Sequence, residues 1–413
     1  MLKKSGFIAL FLIFQLSAQT IQFDFASLSR RDSFYNQLKL KMSEAMKPEN
    51  FRNIAIMDNG LWAAELMKDR DSSYKVYFSK LIDSIQTFKY EVQRQILQTA
   101  FALWKGEFYD PVFNFAHITN DPKLFAMCVN YINLDPDKAR YFMSLTLAKF
   151  HEKQNHPIIE ALLGNLKIIM DGRPALPPLK DLLEYQKDSS VFRMYMLARH
   201  DRNYNGMLVF RKASGEFLRD SSGAILTLPY FAMSLPNMPG YITNGNSPQG
   251  CFSVMGAYGS SAKLIGPTFS IRLFMPSETK NTTFYNNYKV NGKDDRSLYL
   301  SLFPESWREY FPVMETYLAG KAGRNDIVMH GSTADLRYYT DEPFYPNVPT
   351  HGCLSGQEVW DENGYRIFSN QQKLINIYKS LGSPRGFLYL IEIDDQKSNV
   401  TQEEINKIFA GIK

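Results

Sequence analysis

The chain has 413 residues, of which 45% are hydrophobic and 22% are charged. This composition excludes a mostly disordered protein, and the length predicts two or three domains. The 47 basic and 42 acidic residues give a net charge of +5, too small an excess for a dedicated nucleic-acid-binding protein. Three cysteines are too few for a disulfide framework or a four-cysteine zinc site.

The first 18 residues have the features of a secretory signal peptide. Lys3 and Lys4 precede an apolar run from Gly6 to Leu16, and we expect cleavage after Ala18. That run is too short to cross a bilayer, which requires about 20 residues. We therefore expect a periplasmic protein that is soluble after cleavage and does not span the membrane. Loss of the two lysines would leave a net charge of +3.

The uneven distribution of glycine predicts a helical first half. Only five of the 24 glycines lie before residue 190, and glycine weakens helix interiors. Apolar residues at helical spacing predict one long helix over residues 81–104. Asp121-Pro122 and Asp135-Pro136 each combine an N-cap residue with a first-turn proline, so each predicts a helix start. We expect an all-α domain over residues 20–172, with the stacked pairs of a HEAT-type solenoid as one arrangement.

A proline-rich segment then separates this domain from a strand-rich one. Residues 173–191 are expected to form the linker, residues 192–395 a mostly β domain, and residues 396–413 a C-terminal helix. The predicted strands cover residues 207–211, 216–218, 224–233, 268–275 and 386–393. An amphipathic helix is predicted over residues 370–381, and Thr401 with Glu404 predicts a capping box. The overall fold class is α+β.

Two His-Gly pairs lie near one cysteine in the second half: His330-Gly331-Ser332 and Thr350-His351-Gly352-Cys353. A neighbouring histidine can make a thiol nucleophilic by favouring the thiolate. His330 follows an apolar strand, which would project it from a strand end. The N–H groups of Gly352 and Cys353 are candidates for binding the oxyanion of a tetrahedral intermediate.

These residues resemble the signature of the L,D-transpeptidase catalytic domain, also called the YkuD domain. That signature is a His-Gly after a strand, a gap, and then Ser/Thr-His-Gly-Cys. An upstream element of the same family resembles Ser247-Pro248-Gln249-Gly250-Cys251-Phe252. The resemblance covers residues 192–395 and does not extend to the helical first half.

The resemblance implies an exported acyltransferase that acts on peptidoglycan stem peptides and needs no metal or cofactor. Cys353 would attack the third residue of a tetrapeptide stem, and His330 would be the base, oriented by the Gly331 carbonyl. His351 would be a pocket residue or an alternative base, and Thr350 and Ser332 would line the substrate site. Resolution of the thioester by an amine gives a 3→3 cross-link or an exchanged D-amino acid, whereas resolution by water would make the enzyme an L,D-carboxypeptidase.

Two departures from the family pattern leave alternatives open. His330 and Cys353 are 23 positions apart, and the added residues fall in a loop over residues 338–349 whose aromatic side chains are candidates for a lid. The arginine usual two positions after the cysteine is replaced by Ser355, and the candidates to substitute for it are Arg337, Arg366 and Arg385. The competing functions are a catalytically weak scaffold that binds the cell wall and another thiol hydrolase of cell-wall peptides.

The remaining parts of the sequence carry weaker expectations. The helical domain is expected to bind a protein partner or to position the enzyme. Cys128 and Cys251 are expected to be buried structural thiols, although the sequence leaves open whether they form a disulfide.

Overall fold

The computed structural model describes residues 21–185, 190–286 and 292–412, and the predicted signal peptide lies outside them. The fold combines helices and a large sheet, as expected for the α+β class. The first eight α-helices of the described residues are α1 Leu28–Ala45, α2 Ile54–Met67, α3 Ser72–Asp83, α4 Tyr90–Trp104, α5 Tyr109–Ile118, α6 Pro122–Tyr131, α7 Pro136–Lys149 and α8 Pro157–Asp171.

The eight helices, which we call the helical region, pack in a consecutive series. Helix α2 contacts α4, α4 contacts α6, and α6 contacts α8, while α1, α5 and α7 pack against α2, α6 and α8 in turn. Two of the predicted helix starts are confirmed. Asp121 accepts hydrogen bonds from the N–H groups of Lys123 and Leu124, and Asp135 accepts one from Lys138, so both cap helices that begin with proline.

The prediction of one long helix over residues 81–104 is wrong. Helix α3 ends at Asp83, a 3-10 turn covers Ile85–Thr87, and α4 begins at Tyr90. The apolar residues on both sides of the break are buried, including Ile82, Ile85 and Val92. The apolar spacing continues across the break because residues on both sides of it are buried. Periodicity alone therefore could not reveal the break.

Ten strands follow the helical region. They are β1 Phe192–Arg199, β2 Gly206–Arg211, β3 Thr227–Tyr230, β4 Gly250–Tyr258, β5 Ser270–Phe274, β6 Val328–His330, β7 Leu354–Ser355, β8 Glu358–Trp360, β9 Arg366–Ser369 and β10 Gly386–Asp394. Eight of them form one sheet in the order β3-β2-β1-β10-β4-β5-β6-β7, and β8 pairs with β9. The predicted strand at 386–393 is confirmed as β10, at the centre of the sheet between β1 and β4.

The sheet is mixed, and its two ends meet. Strand β1 runs parallel to β10, and β6 runs parallel to β7. The Phe231 N–H donates to the Ser355 carbonyl at 3.0 Å, and the Ser355 N–H donates to the Phe231 carbonyl at 2.8 Å. This bridge joins the chain leaving β3 to β7 and holds both edges of the sheet beside the segment that contains Cys353.

Shorter helices connect and cover the strands: α9 Leu179–Glu184, α10 Asn281–Phe284, α11 Asp295–Leu300, α12 Glu315–Lys321, α13 Asn370–Ser380 and α14 Gln402–Ile408. The predicted helix at 370–381 is confirmed by α13, and Thr401 and Glu404 form the predicted capping box. The predicted strand at 216–218 is wrong, because Phe217 makes only an isolated bridge to Arg211. In the described part of the chain, no helix has the length and apolar character needed to cross a membrane.

The helical region is joined to the sheet region by buried polar contacts. The Lys68 ammonium, at the end of α2, donates to the Leu235 carbonyl at 2.6 Å and to the Ala102 carbonyl at 3.0 Å. Tyr241 accepts a hydrogen bond of 2.7 Å from Asn130 on α6. Because these groups are removed from water, breaking their contacts would leave buried polar atoms unpaired. The two regions therefore pack through a specific interface.

Candidate active site

The candidate site lies at the edge of the sheet where β6 meets β7. The two parallel strands place Met329 opposite Leu354 and His330 opposite Ser355. Cys353 immediately precedes β7, and its thiol is near the backbone of Val328 on β6. Two segments separated by 23 positions are thereby brought side by side, which the sequence could not establish.

A single apolar cavity of about 290 Å³ connects the predicted site residues. His330, Ser332, Thr350, His351 and Cys353 all line it. The remaining lining residues are almost entirely apolar: Trp62, Leu66, Leu235, Leu264, Ile265, Ala334, Val348 and Pro349. A concave apolar pocket with a few convergent polar groups is the usual form of a small-molecule or peptide site.

The helical region forms part of this cavity. Trp62 and Leu66 lie one turn apart on α2 and line the same wall. The Trp62 ring packs edge-on against Phe34, with ring centres 6.4 Å apart, and the Lys41 ammonium lies 5.5 Å from its centre. Sequence reasoning missed both α2 residues, because nothing in residues 54–67 distinguishes a cavity wall from an ordinary buried helix face.

His330 is held in one tautomer by the backbone carbonyl of the next residue, Gly331. Its Nδ1 lies 2.5 Å from the Gly331 carbonyl oxygen, and a carbonyl only accepts, so Nδ1 carries the proton. The neutral ring therefore keeps its lone pair on Nε2. Burial lowers the pKa of His330 below its usual 6.5, so the imidazole is neutral at pH 7 and can accept a proton.

The Cys353 thiol is partly exposed to the cavity, unlike the other two cysteines. It donates weakly to the Asp326 carbonyl at 3.6 Å. Burial raises the pKa of Cys353 to about 11, and the polar Val328 backbone and the Arg324 charge oppose that rise. The resting group is therefore a thiol, and a base must remove its proton when it attacks.

Thr350 braces the loop that carries Cys353. Its hydroxyl donates to the Cys353 carbonyl at 2.8 Å and accepts the Gly352 N–H at 2.9 Å. The Gly352 carbonyl in turn accepts a hydrogen bond of 2.9 Å from the Ser247 hydroxyl. Ser247 belongs to the Ser-Pro-x-Gly segment, so the two sequence elements of the resemblance lie against each other.

The expected role of the Gly352 N–H as an oxyanion donor is not supported in this geometry. Because this N–H is already bound to the Thr350 hydroxyl, it points into the loop. The Cys353 N–H remains the backbone candidate for that role. The contribution of Thr350 is thus to shape the loop.

Arg324 lies against the cysteine loop at Gly352. Gly352 has a φ of +109°, and a Cβ at this position would lie 1.9 Å from the Arg324 Nη2. The guanidinium is buried, with bonds of 2.6 Å to the Gly245 carbonyl and 2.8 Å to the Asn246 carbonyl. Burial lowers the pKa of Arg324 to about 10, so it remains a cation at pH 7.

The three arginines that the sequence offered in place of the one missing after the cysteine lie elsewhere. Arg337 pairs with Asp335 and Asp32, and Arg366 lies 3.7 Å from Glu358 and donates to Thr268. Neither they nor Arg385 line the cavity. Arg324 precedes β6 by four residues, and no local pattern marks it, because its position depends on the fold around Gly352.

The Glu358 side chain packs against the backbone at Gly331, next to His330. A Cβ on Gly331 would lie 2.2 Å from the Glu358 carboxyl carbon, so only glycine fits there. The buried carboxylate accepts hydrogen bonds of 2.6 Å from Thr268 and Ser369. Glu358 was also missed from the sequence, where it appeared as an ordinary residue after the cysteine motif.

His351 and Ser332 line the cavity in different ways. His351 is exposed where it lines the cavity. Ser332 is buried; its hydroxyl accepts the Ala334 N–H at 3.1 Å, and its carbonyl accepts the Trp360 indole N–H at 2.9 Å. Ser332 therefore shapes the turn after His330.

The long loop between His330 and Cys353 packs most of its aromatic side chains inward, whereas Tyr345 is exposed. Tyr339 and Phe344 are fully buried, and the Tyr339 hydroxyl donates to the Leu66 carbonyl at 2.9 Å. The Tyr338 ring stacks on Tyr35 of α1 with centres 4.0 Å apart. The added residues are explained by docking onto the helical region, because they fill the space between the two regions.

The other two cysteines are free and buried. Cys128 lies in α6 and Cys251 in β4, so the structure holds no disulfide between them. Desolvation raises the pKa of both thiols well above the ordinary value. Among the described residues, no group of three or more His, Cys, Asp or Glu side chains is arranged to hold a metal ion.

Comparison of the chain with protein-family models, curated proteins and solved structures finds no match. The arrangement of residues in the cavity is therefore the basis for a functional conclusion. A thiol, a neutral imidazole and a nearby buried cation around one apolar pocket are suited to covalent acyl transfer.

Proposed function

We propose that this protein is an exported cysteine acyltransferase of the L,D-transpeptidase type that acts on peptidoglycan stem peptides. The observation that carries the proposal is that His330, on β6, and Cys353, immediately before the parallel strand β7, line one cavity. The same cavity contains the Thr-His-Gly-Cys segment of the resemblance. Under this proposal the sheet region is a transpeptidase-type catalytic fold, and the protein works in the periplasm.

In the first step, Nε2 of His330 takes the thiol proton as the Cys353 sulfur attacks the carbonyl carbon of the third stem residue. The carbonyl oxygen becomes an oxyanion, which the Cys353 N–H is positioned to stabilise. The carbon–nitrogen bond then breaks, and the imidazolium returns the proton to the departing amine. The products are a thioester on Cys353 and a free terminal D-amino acid.

In the second step, an amine attacks the thioester and His330 accepts the proton that the amine loses. The Cys353 sulfur leaves and regains its proton. An amine from a second stem gives a 3→3 cross-link, and a free D-amino acid gives an exchanged terminus. Cavity residues apart from the two histidines, the cysteine, Ser332 and Thr350 are almost all apolar, which keeps water away from the thioester and favours transfer over hydrolysis.

We also propose that the helical region positions the acyl donor, and that its helices form a HEAT-type stack. The series of contacts from α2 to α8 supports the stack. The presence of Trp62 and Leu66 in the cavity supports the positioning role. We further propose that the outer face of the helical region binds a protein partner. Deletion of the helical region in cells tests this proposal.

The test is muropeptide analysis of purified tetrapeptide dimers incubated with the protein. We expect 3→3 cross-links with the wild type and none with Cys353→Ala, because loss of the nucleophile removes the thioester route. Cys251→Ala is the matched control: it removes a buried thiol from the same sheet and should leave the products unchanged. Cross-linking by Cys353→Ala would overturn the proposal.

The same experiment separates the alternatives. Trimming of tetrapeptide stems to tripeptides without any 3→3 cross-link would identify an L,D-carboxypeptidase with the same nucleophile. A wild-type protein that neither cross-links nor trims, and whose Cys353 forms no adduct with a carbapenem, would instead be a wall-binding scaffold.

A further inference from the structure

A second cavity, of about 260 Å³, lies between the helical region and the sheet region. It is lined by α8, α12 and the β10 residue Glu392 and shares no lining residue with the cavity around Cys353. Its apolar lining includes Ile168, Ile169 and Phe311. It also carries polar groups of both charges, so the cavity differs from the catalytic one in its chemistry.

An unpaired hydrogen-bond donor lines this second cavity. The Gln249 side chain is 1% exposed, and its Nε2 has no hydrogen-bond partner among the described residues. Its other amide atom, Oε1, accepts the Glu392 N–H at 2.6 Å, which fixes the side chain. A buried donor without an acceptor is costly, so a ligand with an acceptor atom would satisfy it.

A partly buried carboxylate without an ion-pair partner among the described residues also lines the cavity. Glu315 accepts the Gln249 N–H through Oε2 at 2.9 Å. No described lysine, arginine or histidine is within ion-pair distance of it, whereas Glu392 is paired with Arg173, Arg202 and His200. The Arg202 and Arg324 charges act on Glu315 from beyond that distance, so an ammonium group in the cavity would form a direct ion pair with it.

Arg173 supplies positive charge to the same cavity. Its guanidinium lies 3.0 Å from a Glu392 oxygen. The cavity therefore offers hydrogen-bond donors to an anion, from Gln249 and Arg173, and a carboxylate to a cation, from Glu315. An α-amino acid presents a carboxylate and an ammonium in one small molecule, and its side chain would contact the apolar lining.

We propose that this cavity binds a compact α-amino-acid zwitterion, with the carboxylate at Gln249 and Arg173 and the ammonium at Glu315. The site does not depend on the proposed function, because none of its residues takes part in the acyl-transfer steps. The free amino acid and the terminal residue of a short peptide carry the same chemistry, and dialanine distinguishes them.

Isothermal titration calorimetry on the full-length Cys353→Ala protein tests the site without turnover. We expect binding of alanine or leucine in either enantiomer, and at least tenfold weaker binding of propionate and ethylamine, which each lack one charge. Weaker binding of dialanine would assign the free amino acid, and equal or tighter binding a peptide terminus; both support the site. Absence of binding at millimolar concentrations, or equal binding of ethylamine, would overturn it.

Two substitutions locate the binding. Glu315→Gln and Gln249→Met should each weaken alanine binding at least tenfold, while Glu160→Gln, at an exposed ion pair on α8, should leave it unchanged. Thermal unfolding identifies any variant that fails to fold, and the other variant then decides. A folded variant with unchanged affinity would contradict the assignment.

Discussion

The sheet region and the helical region contribute different things to the catalytic cavity. The sheet edge supplies the groups that would react, Cys353 and His330, and holds them through backbone pairing of β6 and β7. The helical region supplies only apolar surface, from Trp62 and Leu66. Reactive groups need angular precision, which neighbouring strands provide, whereas an apolar wall needs only area and shape.

The same contrast separates the cysteines within the sheet. Cys251, in the central strand β4, is wholly buried, and Cys353, at the sheet edge, faces a cavity and lies near the Arg324 charge. The same side chain is thus an inert thiol at Cys251 and a candidate nucleophile at Cys353. Position in the sheet therefore decides reactivity. The following predictions test the separate contributions of the sheet edge, which carries the reactive groups, and of the apolar wall, which the helical region supplies.

The largest effect after removal of the thiol is expected for His330→Gln. Loss of the general base should lower kcat/KM by about a thousandfold, while the fold is retained. The wild-type rate should fall as the pH drops below the lowered pKa of His330, because protonation then removes the base. A pH–rate profile of both proteins checks this, and an acid limb that persists unchanged in the variant would assign the limb to another group.

Arg324→Met should affect both stability and thiol reactivity. Loss of the guanidinium leaves buried carbonyls of Gly245 and Asn246 without a donor, which should destabilise the protein by about 3 kcal/mol in urea unfolding. Removal of the nearby charge should also slow alkylation of Cys353 by about threefold to tenfold at pH 8.

Arg324→Lys separates these two consequences. The ammonium keeps the charge but cannot reproduce the planar set of donors. The rate of Cys353 alkylation should therefore return closer to its wild-type value than the free energy of unfolding does. Equal loss of both properties in the lysine variant would argue that the arginine acts on Cys353 only through the fold.

Trp62→Ala tests the wall. We expect KM for the stem tetrapeptide to rise about tenfold with little change in kcat, because the lost contact is uniform binding and not transition-state stabilisation. Alkylation of Cys353 by iodoacetamide should be unchanged, since that reagent does not need the wall. Val76→Ala, at an exposed position on α3, is the control; a fall in kcat alone would oppose a binding role.

The smallest effect is expected for Tyr35→Phe. The Tyr35 hydroxyl accepts the Asp335 N–H at 3.1 Å, and the substitution keeps the stacking on Tyr338. We expect a loss of about 1 kcal/mol in the free energy of unfolding and an unchanged KM, as measured by urea unfolding and kinetics. A raised KM would show that docking of the loop on α1 also sets the shape of the cavity.

Local signals in the sequence were sufficient for several elements. The caps at Asp121, Asp135 and Thr401 depend on residues within one turn, so each helix start was predictable. The apolar run at 386–393 predicted β10 for the same reason. The break before Tyr90 was missed because a burial pattern continued through it, and the strand at 216–218 was overpredicted because its pairing with the preceding strand stops at one isolated bridge, Phe217 to Arg211.

The sequence by itself determined that the chain has a helical half, a strand-rich half and a His-Gly and Thr-His-Gly-Cys pair. Only the tertiary structure decided that Trp62 forms a wall, that Arg324 lies against Gly352, and that Glu358 lies against Gly331. These contacts join residues far apart in the chain. Their geometry follows from how helices and strands pack, and no local spacing encodes it.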